Sequence, residues 1–275
     1  MTDTIVKNTP PTYLATANAH PRDQFIEFDE GPHIYTVHGE LGYTSVTTWV
    51  HTHFSVFDAD GVIENMFKYG KIKDPNHKYH GMTREEIKTM WTTKGTIAST
   101  AGTKMHYDIE CYNNYMEVEN ESVEFEYFLK FDAEFPELKP YRTEWLVYYE
   151  ELKLSGSIDM VYENPDGTLQ IYDWKRCEEI PHEAFGNKTS ITPCISHLPD
   201  SKFWHYTLQL NTYKMIIEHK YGKKITALYL VRLHPDNPYK TYDRIPVPIL
   251  EKEMADLVEY RKQQVASGNH IVVKH

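Results

Sequence analysis

The chain is poor in cysteine, with three in 275 residues, at positions 111, 177 and 194. An odd number without a C-x-x-C pair excludes a disulfide framework, a zinc ribbon and a cysteine-bound iron–sulfur cluster. Long apolar runs are missing, so no membrane span is expected, and the N-terminus lacks the apolar segment of a secretory signal. A soluble, intracellular protein is the expectation. Positive charge is also scarce, and the formal net charge is -11. That argues against a protein that grips duplex DNA by bulk attraction, because such affinity comes from neutralising phosphates. It does not exclude a metal-dependent enzyme acting on nucleic acid, since a metal site itself requires carboxylates.

What is present reads as globular, with 40% hydrophobic residues and 13% aromatics, including 21 tyrosines. Residues 1–22, with Pro10-Pro11, read as a flexible tail. Residues 33–50 read as a hairpin with glycine at its turn, leading into a helix capped by Ser45 or Thr47. Residues 58–72 and 83–116 are helical, the latter opening on the capping box Thr83-x-x-Glu86. Strands follow at 143–152, at 155–175 as a hairpin, and at 224–235. An amphipathic helix at 201–222 and a closing helix after Ile249 complete the pattern. The order helix, three strands, helix, strand predicts an α/β fold with helices covering a mixed sheet. We divide the chain into the tail 1–22, an N-terminal hairpin and helical elaboration 23–94, and a core 95–275 that includes the C-terminal helix.

The hairpin "SGSIDMVYENPDGTLQIYDWK" (155–175) poses a chemical question. Asn164-Pro165-Asp166-Gly167 fits a type I turn followed by a glycine bulge, which pairs residues whose numbers sum to 332. Asp159 then faces Asp173, Ser157 faces Lys175, and Asp173 shares a face with Lys175. Two facing carboxylates destabilise a sheet unless positive charge lies between them. A divalent cation answers that requirement. A solvated pair at a sheet edge, tempered by Lys175, answers it too.

The acidic residue followed by Asp173-Trp174-Lys175 on the next strand, within this element order, resembles the PD-(D/E)xK nuclease superfamily and its restriction-endonuclease-like core. Gly102-Thr103-x-x-His106, Glu144 before Gly156-x-x-Asp159, Gln209-x-x-x-Tyr213 and the Ser45-Val46-Thr47 segment resemble the RecB-like branch, which includes phage, viral and mitochondrial genome-maintenance exonucleases. The resemblance implies that His106, Asp159, Asp173 and the Trp174 carbonyl bind Mg²⁺ or Mn²⁺. It also implies that Lys175 orients or deprotonates the attacking water, and that Gln209 and Tyr213 lie near metal and substrate. Glu144 would bind a second metal or hold Lys175; a solvated strand carboxylate is the alternative. The implied function is a metal-dependent DNA exonuclease for single-stranded or end-containing DNA in replication, recombination or repair, with a recombination or replication protein as partner. A nicking endonuclease of the same fold and a noncatalytic DNA-binding module are the alternatives.

Residues 67–80 interleave Lys68, Lys71, Lys73 and Lys78 with Tyr69 and Tyr79, the mixture of cations and aromatic faces that single-strand binding uses. A solvated basic loop reads the same way. The histidines of "VHTHF" (50–54) receive no metal assignment, because they lack cysteine partners.

Overall fold

The computed structural model of the chain describes residues 10–270. Its elements are α1 (Tyr13–Ala17), β1 (Ile26–Asp29), β2 (Ile34–Val37), β3 (Thr44–Ser45), α2 (Val46–His51), α3 (Ala59–Lys68), α4 (Arg84–Asn113) and α5 (Val123–Glu134). There follow β4 (Lys139–Tyr149), β5 (Leu154–Glu163), β6 (Leu169–Lys175), α6 (Lys202–Lys220), β7 (Ile225–Arg232), β8 (Asp243–Pro246) and α7 (Glu251–Ala266). β4, β5 and β6 are antiparallel neighbours, β7 joins β6 in parallel through the α6 crossover, and β8 closes the edge antiparallel to β7. This is the mixed sheet of a restriction-endonuclease-like fold. Among the described residues no helix is long and apolar enough to cross a membrane.

Both sheet faces are covered. Met105 and Ile109 of α4 and Phe125, Phe128 and Phe131 of α5 pack on Met160, Tyr172 and Trp174. On the other face α2, α6 and α7 bring Trp49, Leu208, Ile216 and Leu257 onto Val161, Ile171 and Leu228. Double coverage makes 158, 160, 161 and 162 of β5 all buried, so the strand cannot alternate in polarity. It also corrects the expectation for α6. Every residue from 210 to 217 is buried, so the helix has no wet stripe. Lys214 enters that interior only because Glu218 and Glu251 bind its ammonium at 2.6 and 3.0 Å.

The expected hairpin register holds over Met160↔Tyr172, Val161↔Ile171, Tyr162↔Gln170 and Glu163↔Leu169. Its turn is closed by Gly167 N–H to Asn164 O and Asn164 N–H to Thr168 O, with Gly167 at φ 78°. A side chain at that φ would be strained, which is why the bulge takes glycine.

The N-terminal part departs from expectation. The partner of β2 is β1, upstream, not a strand beyond Gly39. Gly39 turns the chain only as far as a bridge from Val37 to Glu40, after which β3 joins β5 in parallel. Ser45 caps α2, its Oγ accepting from Thr48 N–H at 3.1 Å. Residues 10–22, expected within the flexible tail, pack against β4 and α4. Leu14 is buried and its N–H reaches Asn114 Oδ1 at 2.9 Å, while Arg22 binds Glu150 at 2.9 Å and lies over Tyr148. The rest of that tail, residues 1–9, lies outside the described residues. The division expected at 94/95 falls inside α4. Ile87, Met90 and Trp91 of that helix sit in a satellite cluster with Ile63, Ile72 and Tyr79, its last turns sit in the core, and residues 92–100 between them are all exposed.

Asp23 ties the N-terminal segment down by accepting from buried Arg142 at 2.7 Å and from Trp145 Nε1 at 3.0 Å. Removing one partner strands a buried charge, so Asp23→Ala should cost on the order of 3 kcal/mol. Glu64→Ala breaks only the exposed pair with Arg84 and should cost under about 1 kcal/mol. Urea unfolding of both variants checks the contrast; equal losses would show that Asp23 is not the anchor.

Candidate active site

The site forms where β6 leaves β5. The C-terminal part of β5 (160–163) pairs with β6 and its first two residues with β3, leaving 156–158 with ladder partners in β4 alone and Asp159 outside both registers. Asp159 and Asp173 stand just beyond the last β5–β6 pair. Asp159 Oδ2 spans the opening by accepting the Trp174 N–H at 3.0 Å. Ser157, expected opposite Lys175, donates instead to Glu144 Oε2 at 2.6 Å, because β6 has already diverged. Glu144 lies between the pairs Thr143↔Met160 and Trp145↔Ile158, with φ 42°. A left-handed glutamate within a strand costs on the order of 1–3 kcal/mol and persists only where its surroundings impose it.

His106 descends from α4 into this opening. Its Nδ1 is 3.5 Å from Asp159 Oδ2 and 3.9 Å from Glu144 Oε1, and its Nε2 donates to Trp174 O at 3.0 Å. His106, Glu144 and Asp159 offer ligand atoms all within 4.8 Å of one another. Asp173 stands aside, its Oδ2 lying 2.6 Å from Lys175 Nζ. That oxygen is buried and, apart from the Lys175 ion pair, has no hydrogen-bond partner among the described residues. A buried carboxylate oxygen left in this state suits a hard cation. The donors present, three carboxylates, an imidazole and a carbonyl, fit Mg²⁺ or Mn²⁺.

The charges respond to this crowding. Burial raises the Asp159 carboxyl to about 7, helped by Asp173 and Glu144 and opposed by His106 and Lys175. Burial alone would lower His106, but Asp159 and Glu144 outweigh it and raise the imidazole to about 9. Lys175 is likewise opposed by burial, yet Asp173 and Asp159 hold it well above its ordinary value. In the metal-free protein the two aspartates thus hold it as an ammonium, which favours donation over proton acceptance.

α6 supplies the opposite wall. Tyr206, Gln209 and Tyr213 lie on one helical face. Lys175 Nζ sits 4.4 Å from the centre of the Tyr206 ring. Gln209 lies beside the Tyr213 hydroxyl, and Tyr213 lies close enough to both aspartates to feel their charge. Tyr213 explains Gly156: a Cβ there would lie 2.8 Å from the tyrosine's Cε1 and Oη. Tyr35 of β2 reaches the same region, its hydroxyl beside the Ser157 amide and within the field of Glu144. Sequence reading missed Tyr206 and Tyr35. The first carried a signal, its three-residue spacing from Gln209; the second carried none.

The structure does not bring the lysine–tyrosine strip into this centre. Lys68, Lys71, Lys73 and Lys78 are exposed, as is Tyr69, with Lys68 Nζ 5.5 Å from its ring centre. Tyr79 is different. It is buried, accepts from Trp91 Nε1 at 2.7 Å, and has no face free for a base.

A family model described as the PD-(D/E)XK nuclease superfamily matches residues 98–270. A search of curated proteins gives no match. Among solved structures the chain is similar to an EndoMS–dsDNA complex at 18% identity and TM-score 0.24, covering 42% of this chain and 38% of that one. It is also similar to a candidate exonuclease from Eubacterium rectale at 8% identity and TM-score 0.36, covering 84% and 83%. The chain thus spans well under half of the first of these proteins.

Ligation requires a carboxylate at Asp159 and a neutral imidazole at His106, so binding must displace the protons both groups hold at neutral pH. Mn²⁺ affinity should therefore rise from pH 6 to pH 9, by up to about tenfold per unit where one proton is released. Calorimetry in buffers of different ionisation enthalpy measures the release; a pH-independent affinity would contradict the ligand set. Gly156→Ala should cost about 1–3 kcal/mol through collision with Tyr213. That cost should shrink in a Tyr213→Ala background, as a double-mutant cycle would show.

Proposed function

The chain belongs to the PD-(D/E)XK nuclease superfamily, and from that premise we propose a Mg²⁺- or Mn²⁺-dependent deoxyribonuclease, an exonuclease on single-stranded or end-containing DNA. The observation that carries the reading is the convergence of His106, Glu144, Asp159 and Asp173 beside a protonated Lys175. His106, Asp159, Asp173 and the Trp174 carbonyl would hold the metal, and Glu144 would bind or orient from β4. When bound, the cation supplies charge neutralisation at the scissile phosphate and a more acidic water.

The chain's own groups do the rest. Lys175, fixed between Asp173 and the Tyr206 ring, donates to a phosphate oxygen or to the attacking water. Held as an ammonium by Asp173 and Asp159, it is placed to donate rather than to take the water's proton. Ser157 holds Glu144, and Gln209 with Tyr213 closes the α6 side against bulk water. Support for a single strand as substrate comes from the bare middle of α4, which separates the basic strip from the metal-ligating residues. Lys68, Tyr69, Lys71, Lys73 and Lys78 would meet phosphates and bases there, at a distance from the cut. The same reading puts the enzyme inside the cell, in replication, recombination or repair, with a recombination or replication protein as a further partner.

Digestion of closed-circular and linear DNA, single-stranded and duplex, in Mn²⁺ tests the proposal. Linear DNA should disappear while circles persist. Nicked or linearised circles would point to an endonuclease. Intact DNA that is nevertheless bound in Ca²⁺ would point to a noncatalytic module. Asp173→Asn should slow cleavage at least about a thousandfold, or ~4 kcal/mol at 1.36 kcal/mol per decade.

A further inference from the structure

The histidines of "VHTHF" separate in the structure. His53 turns inward, is buried, and pairs through Nδ1 with Thr192 Oγ1 at 2.9 Å. His51, at the end of α2, faces outward and meets His205 in the first turn of α6, ring centres 5.9 Å apart. His205 is held firmly. Its Nε2 bonds Asp200 Oδ1 at 2.9 Å, and its ring lies 3.9 Å from that of Phe54. The next residue is Tyr206, whose ring carries the Lys175 ammonium. The two imidazoles therefore flank the Lys175 side of the centre, away from His106.

Among the described residues, neither nitrogen of His51 nor Nδ1 of His205 has a hydrogen-bond partner, and His51 has no carboxylate beside it. Burial lowers the His51 imidazole, and His205 and Lys175 lower it further. Two imidazoles with free ring nitrogens thus stand beside the Tyr206–Lys175 pair. The carboxylates near them, Asp200 and Asp173, are each engaged already. Ring nitrogens without protein partners are donors left for an anion.

We propose that His51 and His205 form a phosphate-binding subsite beside Lys175, which grips a substrate backbone phosphate next to the one being cut. Imidazole N–H groups donate to phosphate oxygens by charge-assisted bonds, so the ligand class is a phosphate mono- or diester. The proposal rests on the nuclease reading for the identity of the substrate, but not for the presence of the anion site.

Inorganic phosphate titrated into the metal-free protein should shift the ring C–H resonances of His51 and His205 and leave His197, paired with Glu253 on the surface, unmoved. His51→Gln, a change at an exposed residue, should raise KM for a short single-stranded oligonucleotide roughly tenfold, the lower end for one hydrogen bond to a charged group. kcat and Mn²⁺ affinity should change little. A protein that cleaves DNA but shows no phosphate shift at either histidine, or an unchanged KM in both His51→Gln and His205→Gln, would overturn the subsite. A protein that cleaves nothing yet shows both shifts would uphold the anion site and remove the nuclease reading instead.

Discussion

The repulsion between Asp159 and Asp173 is the constraint around which the rest of the centre is arranged. Two carboxylates on adjacent strands cannot both stay charged in a buried place without compensation. The protein divides the compensation. Asp159 takes the Trp174 N–H and faces the His106 imidazole, while Asp173 takes the ammonium of Lys175. The departure of β6 from β5 gives the carboxylates room, and the left-handed backbone at Glu144 sets a third one beside them. Without a metal, protons and Lys175 do the balancing. A divalent cation would replace those protons with a fixed charge.

This division also fixes what each helix must do. α4 has to deliver one imidazole from one face of the sheet, and its last turns are locked by Met105 and Ile109 in the core. α6 approaches the opposite face with a ring over Lys175 and another over Gly156. A helix that positions side chains to within an ångström cannot roll, and α6 is buried nearly all round. Its lack of a wet stripe is the structural side of that precision.

Much of this was legible in the sequence wherever short-range chemistry decides. The turn Asn164-Pro165-Asp166-Gly167 sets the hairpin register, and the register brings Asp159 level with Asp173. The capping box at Thr83 starts α4 where expected. What stayed hidden depends on distant residues. Tyr79 looks like an exposed aromatic until Trp91 closes over it, and Leu14 looks like tail until Asn114 receives its amide. The β2 pairing was misread because Gly39 offers a plausible turn in the wrong place. α5 escaped notice although Ser122 caps it and Phe125, Phe128 and Phe131 recur every third residue. The placement of the carboxylates was thus easier to read than the shell around them.

Arg261 of α7 is buried and donates to the Leu152 carbonyl and to Thr44 Oγ1, 217 positions earlier in the chain. β3 therefore finds its strand partner only after more than a hundred further residues have been made, and its Arg261 donor 217 positions after Thr44. Until then the apolar side chains of α2, Val46, Trp49 and Val50, have no cover. A nascent chain of this protein carries α2 uncovered until α6 and α7 have been made, a period in which exposed apolar surface invites chaperones and aggregation. The strand and helix at 44–51 are thus made early and covered late.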